Sequence, residues 1–316
     1  MPAEYTLGLQ IWPSNTSWED LRQVALLAEE LGFDYIFTWD HLAPVASIDP
    51  YSQNFEGWQV LAALAASTTR ARIGMLVTGN TYRHPAIVAK MAATLDHISG
   101  GRAVTGMGAG WFEFEHARFG FPFPPVGQRI DQLDEALTVI RSLFVEDRTD
   151  FDGKFYRLFD APGQPKPIQQ HMPVLVGASG ERKALRVVAK HADIWHGFAG
   201  NAREFERLLG ILHEHCEVVG RDPASIAPST GGQVIIRDNQ AQLQARFDEL
   251  VSRHRVPPPA VTELTGTVDY VATHIAERLA AGVRLFVASV AAPFDEESLR
   301  RLALEAWPQA KGASQH

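Results

Sequence analysis

Residues 71–111 read ARIGMLVTGNTYRHPAIVAKMAATLDHISGGRAVTGMGAGW. Two short apolar runs, 73–77 and 103–107, flank a longer amphipathic segment over 85–98. The runs have strand length and the segment between them has helix length and periodicity, so the stretch predicts a β-α-β unit. Both runs end in small residues, Thr78-Gly79-Asn80 and Gly108-Ala109-Gly110. A residue without a Cβ lets the backbone come close to a flat ligand. The carboxyl ends of neighbouring parallel strands are where barrels and open α/β sheets hold ligands. Each turn on its own reads equally well as a tight βα connection.

The same alternation extends outward. Residues 6–11 predict a first strand, and Thr16-Ser17-Trp18-Glu19 fits a capping box opening a helix that Gly32 closes. A second strand over 35–39 ends in Asp40-His41, and a small-residue helix over 57–67 leads to the third strand. After Gly108 comes an aromatic loop, WFEFEHARFGFPFPP, and then a strongly periodic helix over 127–144. Residues 145–172 break the rhythm: FDGKFYRL suggests a hairpin turning at Asp152-Gly153, part of an insertion after the fourth helix that would form a lid or outer flap. Strands over 173–176, 194–196, 233–236 and 285–290 then alternate with helices over 181–191, 202–219, 240–253 and 267–281, with Pro257-Pro258-Pro259 marking a loop and a terminal helix over 295–307. Eight strand–helix alternations predict a single α/β domain over 1–316, a (β/α)8 TIM barrel with that one insertion.

Composition narrows the function classes. A chain of 316 residues with 46% hydrophobic content buries a large core, and its net charge of −8 argues against a nucleic-acid or anionic-membrane partner. The lone Cys216 excludes an internal disulfide and a cysteine-based zinc site, and it suits a reducing cytoplasm. No signal-peptide pattern opens the sequence, and no apolar run nears the roughly 20 residues that span a bilayer. Among the 12 histidines there is no H-E-x-x-H motif, and no metal site is expected.

Chemistry on a barrel belongs at the carboxyl ends of its strands. Four ends carry suitable residues. Asp40 and His41 form an adjacent acid and imidazole, either a proton-transfer pair or a turn-forming Asp beside a surface His. Val77-Thr78-Gly79-Asn80 is a platform for a planar ring. Gly108-Ala109-Gly110-Trp111 is the third end, with Glu115-His116 four residues beyond. The fourth, Gly177-Ala178-Ser179-Gly180-Glu181-Arg182, is either a plain βα turn or a helix start whose N–H groups receive an anion such as phosphate, with Arg182 or Lys183 assisting. It is neither a Walker A loop nor a G-x-G-x-x-G fingerprint, so ATP and ordinary NAD folds are not supported.

Taken together, several motifs resemble the bacterial luciferase-like flavin and deazaflavin oxidoreductases. They are Gly8-Leu9-Gln10, the run from Glu29 to Asp34 leading to Trp39-Asp40-His41, TGNTYRHP over 78–85, AKMAATLDHISGGR over 89–102, Gly108-Ala109-Gly110-Trp111, Gly177-Ala178-Ser179-Gly180 and Gly266-Thr267-Val268. The resemblance spans nearly the whole chain. The Asp-His pair and the TGNTYRHP run are similar to the subgroup that uses the deazaflavin coenzyme F420, with FMN as the alternative cofactor. It implies an oxidoreductase moving a hydride between coenzyme and a small organic substrate, with His41 exchanging the proton and Asp40 orienting it.

It further implies that Asp40 and His41 lie beside the tricyclic ring, with Val77, Thr78, Gly79, Asn80 and Gly108 as its platform, and that Gly177, Ala178, Ser179, Gly180 and Glu181 receive the phosphate. A kink at the end of strand three, with a non-prolyl cis peptide at Leu76–Val77 or Val77–Thr78, also follows from it. Members that oxidise glucose 6-phosphate carry acidic residues in the substrate cavity, where this chain has Trp12 and Trp111. With Phe114, these imply an apolar or aromatic substrate. Relatives are often homodimers. An FMN-dependent monooxygenase and a non-catalytic flavin-binding protein are the alternatives on the same fold.

Overall fold

The computed structural model describes residues 5–45, 49–254 and 263–314. Eight parallel strands close into a barrel: β1 Thr6–Ile11, β2 Tyr35–Thr38, β3 Arg72–Met75 with its continuation Thr78–Gly79, β4 Ala103–Gly108, β5 Val174–Gly177, β6 Ile194–His196, β7 Ala227–Gln233 and β8 Leu285–Val290. Each pairs with its sequence neighbour, and β8 closes on β1 with Thr6 opposite Leu285 and Ile11 opposite Val290. Phe37, Leu76, Val104, Leu175, Ile194, Leu285 and Val287 fill the barrel interior. A second, larger layer packs between the strands and the outer helices. Two glycines mark where the wall is too close for any side chain. A Cβ on Gly106 would stand 1.7 Å from the Met75 carbonyl oxygen, and one on Gly231 would stand 1.7 Å from that of Val287.

The β-α-β unit that sets the fold is present, with helix Pro85–Ser99 between β3 and β4. His84 caps the helix, Pro85 fills a first-turn position where its missing N–H has no cost, and Gly100 ends it at φ +67. β3 is not continuous as the apolar run suggests. The Leu76–Val77 peptide is cis, and the strand resumes only at Thr78, as the family resemblance implies.

Of the boundaries that differ from the sequence reading, four bear on the fold and site. The capping box lies one residue later, with Ser17 as the cap and Asp20, not Glu19, reaching back to the Ser17 N–H. The aromatic loop contains a helix, Glu113–Phe119, whose run is too short for periodicity to register. The helix after β5 begins at Ala184, not at residue 181. The seventh barrel strand is the polar, small-residue segment Ala227–Gln233; the apolar pair Ile235–Ile236 instead forms a two-residue bridge to Thr265–Gly266 outside the barrel. Pro257-Pro258-Pro259 lies outside the described residues.

Between helix Val126–Val145 and β5 runs the expected hairpin, Arg148–Asp152 paired antiparallel with Arg157–Pro162. Its tip is pinned. The Glu135 carboxylate accepts from the N–H groups of Lys154, Phe155 and Tyr156 at 2.9, 2.9 and 3.2 Å, and Asn80 Nδ2 donates to the Tyr156 hydroxyl at 3.1 Å. No helix among the described residues is long and apolar enough to cross a membrane.

Candidate active site at the barrel mouth

The strand ends bring Asp40, His41, Gly79, Val77, Gly108 and Gly177 together from four strands. Asp40 is buried (3% exposed) just past β2. Its Oδ2 accepts from the Gly79 N–H at 3.0 Å, and Arg83 Nη1 reaches Oδ1 and Oδ2 at 2.8 and 2.7 Å. The other guanidinium nitrogen binds Glu56 at 2.5 Å. Burial pushes the Asp40 carboxyl up to about 7, with Arg83 and the Gly79 N–H pulling it back only part of the way.

Asp40 does not orient His41. The His41 Nδ1 pairs with Glu115 Oε2 at 2.9 Å, across 74 residues of sequence. Glu115 is fully buried on the short helix Glu113–Phe119. Its Oε1 accepts from the backbone N–H groups of Leu42 and Ala43, the latter at 2.8 Å, and its Oε2 accepts from the Tyr82 hydroxyl at 2.5 Å. Burial alone would raise the Glu115 carboxyl; the bonds from His41, Tyr82 and the Ala43 N–H outweigh it and hold the group below the ordinary range. Burial, followed by that same bond to Glu115, raises the Tyr82 phenol well above its usual value.

An aromatic wall surrounds the imidazole. Trp39 meets it edge-on with ring centres 5.1 Å apart, and Trp111 and Phe112 do the same at 5.6 and 5.8 Å. Trp12 stacks on Trp39 at 4.7 Å and 21°. Gln10 fixes Trp12 in place: its Oε1 accepts from the Trp12 indole N–H at 3.1 Å and from Ser289 at 3.0 Å, while its Nε2 donates to the Leu76 carbonyl at 2.5 Å. Trp111 is 62% exposed, so it stands at the rim. Phe114 sits one layer further out, stacked on Phe112 and edge-on to Tyr51.

The floor has the shape and unmet polarity that a flat ligand needs. Asn80 N–H bonds the Gly108 carbonyl at 2.9 Å, joining the two small-residue turns. Val77 lies against both Gly108 and Gly177, where an added Cβ would come within 2.6 and 3.0 Å of its methyl groups. Thr78 Oγ1 and Asn80 Oδ1 are buried with no hydrogen-bond partner among the described residues. Leaving such atoms unpaired costs roughly 1–3 kcal/mol each.

The fourth strand end is drawn elsewhere. Ala178 N–H bonds the His196 carbonyl at 3.1 Å, and Ser179 Oγ accepts from Phe198 N–H at 2.8 Å. The Glu181 carboxylate pairs with Arg207 at 2.9 Å, and its carbonyl accepts from His215. Lys183 is engaged with Asp131 at 2.8 Å. Gly177 thus joins the mouth, Ser179 is tied to Phe198, and Glu181 is held against helix Ala202–Val219 through Arg207 and His215.

Sequence reading attaches no role to Glu115, Tyr82, Arg83 or Gln10. Gln10, Tyr82 and Arg83 lie within motifs that carry the family resemblance, and Glu115 stands beside a histidine in an aromatic loop, but none of these signals carries a partner's address.

A closed α/β barrel with an acid-supported imidazole and an aromatic wall at its carboxyl end has the form of a barrel enzyme's active site. The luciferase-like monooxygenase family model matches residues 5–288, and the chain belongs to that family. One relative is the F420-dependent glucose-6-phosphate dehydrogenase of Microbacterium testaceum, 34% identical over 205 residues. The match covers 64% of this chain and 60% of that protein's length. Among solved structures, the coenzyme F420-dependent tetrahydromethanopterin reductase of Methanopyrus kandleri superposes with a TM-score of 0.80 at 22% identity, covering 97% of this chain and 99% of that one. An F420-dependent secondary alcohol dehydrogenase, in complex with an F420-acetone adduct, gives 0.82 at 20% identity, covering 99% and 100%. At such identities the two structures share the fold.

Proposed function

We propose that this protein is a coenzyme F420-dependent oxidoreductase that moves a hydride between the deazaflavin and a small apolar or aromatic alcohol or carbonyl compound. The observation that carries the reading is the His41 imidazole, supported from behind by the buried Glu115 carboxylate and walled by Trp39, Trp111 and Phe112. The bound deazaflavin supplies the hydride donor or acceptor. His41 takes the hydroxyl proton when an alcohol is oxidised and returns it when a carbonyl is reduced. Asp40, through the Gly79 N–H, fixes the turn that would lie against the ring. Thr78 Oγ1 and Asn80 Oδ1 would find in the coenzyme the partners the protein does not give them. In the Gly177–Glu181 turn the Ala178 N–H is bonded to the His196 carbonyl, so the N–H groups of Ser179, Gly180 and Glu181 would take the phosphate. The indole rings of Trp12 and Trp111 favour an apolar substrate over a sugar phosphate, because nothing they offer balances a dianion.

Equilibrium binding of F420 against FMN to the apoprotein, followed by turnover with a panel of aromatic and aliphatic secondary alcohols and their ketones, tests this. Tighter binding of F420 and turnover of an apolar alcohol are expected. Preference for FMN with oxygen-dependent turnover would make it a monooxygenase. F420 binding with no turnover across the panel would make it a coenzyme-binding protein.

A further inference from the structure

We propose that Glu115 locks the His41 imidazole in the tautomer with its hydrogen on Nδ1, so that Nε2 is the atom that exchanges a proton with substrate. The proposal rests on the oxidoreductase reading for its second half only. An ionised carboxylate can accept hydrogen bonds and cannot donate them. The Oε2 facing His41 also receives the Tyr82 hydroxyl at 2.5 Å, and Oε1 receives two backbone N–H groups, so the carboxylate is satisfied as an anion by donors alone. The neutral ring can join this arrangement only by donating from Nδ1, at 2.9 Å. In a neutral imidazole that leaves Nε2 as the basic nitrogen.

The fixture is rigid because its parts share one turn. Glu115 grips the N–H groups of Leu42 and Ala43, the two residues that follow His41, so the chain carrying the ring and the group orienting it cannot drift apart. The edges of Trp39, Trp111 and Phe112 oppose a flip of the imidazole. Glu115 is therefore a positioning residue, acting through His41.

The same geometry says what the isosteric amide does. In Glu115→Gln the two backbone N–H donors keep the amide oxygen where Oε1 now is. The NH2 group must then face Nδ1 and the Tyr82 oxygen. A donor in that place forces Nδ1 to accept, and the ring hydrogen moves to Nε2. The imidazole stays in position with the wrong nitrogen basic.

Long-range 1H–15N correlation spectra of the 15N-labelled apoprotein, taken where the ring is neutral, read the tautomer directly. Wild type and Tyr82→Phe should show Nδ1–H, and Glu115→Gln should show Nε2–H. With a turned-over substrate, Glu115→Gln should lose about 10²-fold or more in kcat, the scale of misplaced general acid–base catalysis. Nε2–H in the wild-type protein overturns the lock, and that measurement stands even if Glu115→Gln does not fold. Retention of Nδ1–H in a folded Glu115→Gln overturns it equally. Nδ1–H in wild type with full turnover by His41→Ala would leave the lock intact but overturn the role of Nε2, and with it the proton-transfer reading of His41.

Discussion

Half-buried Arg83 clasps buried Asp40 at the barrel mouth: one guanidinium nitrogen lies 2.8 and 2.7 Å from the two carboxylate oxygens, and the other binds Glu56. Asp40 is thereby committed to the floor, through Arg83 and the Gly79 N–H, while its chain neighbour His41 turns to Glu115. Two adjacent residues serve two different networks.

Arg83→Met should be destabilising. It leaves Asp40, whose side chain is 2% exposed, without its cation. The carboxyl already lies near 7 and can take up a proton when the guanidinium is gone, so the loss should fall below the roughly 3–5 kcal/mol typical of a broken buried pair. Urea denaturation near neutral pH measures this, and Arg83→Met combined with Asp40→Asn should recover part of the loss. An Arg83→Met midpoint equal to wild type would show that Asp40 does not depend on Arg83.

His41→Ala should abolish most turnover while leaving F420 affinity within a few-fold. The imidazole touches the aromatic wall and Glu115, while the floor is built by Val77 against Gly108 and Gly177. Loss of a positioned acid–base group typically costs 10²–10⁴-fold. An unchanged rate with a verified substrate removes His41 from the chemistry.

Gly180→Val should weaken F420 binding tenfold or more, about 1.4 kcal/mol, with little effect on folding. A Cβ there meets only the Ala184 methyl, at 3.3 Å, so the packing penalty is small and the change falls on the turn. Gly177→Val behaves differently, because its Cβ presses on Val77 at 3.0 Å and disturbs the mouth itself. Titration of both variants with F420 separates the effects. Wild-type affinity in Gly180→Val would place the phosphate elsewhere.

His196 gives the fold an acid-side weakness. It is buried at the end of β6 with Nδ1 against Ser229 Oγ at 3.0 Å, and burial lowers its pKa from 6.5 to about 4. The unfolded chain protonates this ring below pH 6.5, and the folded protein resists until near pH 4. The stability the neutral ring contributes is therefore whole above pH 6.5 and drains away as the pH falls toward 4. The loss is on the order of 3 kcal/mol at the full shift. Denaturation at pH 7 and pH 4.5 should show a smaller acid-side loss in His196→Asn than in wild type. Equal losses would mean that His196 does not carry the effect.

The local half of this protein is legible in its residues. Apolar runs, caps and glycine stops place β1, β6, β8 and helices Gly57–Ser67 and Ala202–Val219 on their observed bounds, because those signals act over a few residues and need no distant partner. β7 is not legible. Its Ser, Thr and Gly residues are strand-forming only because β6 and β8 lie on either side and Gly231 lets the Val287 carbonyl come close. The site divides the same way. Asp40 and His41 announce themselves as a pair because they are adjacent, and adjacency suggests that one serves the other. Only the closed barrel decides otherwise: it brings Arg83 and Gly79 to Asp40, and Glu115 and Tyr82 to His41. Which donor meets which acceptor across 74 residues is set by where the strand ends converge, and no local pattern in the chain carries that distance.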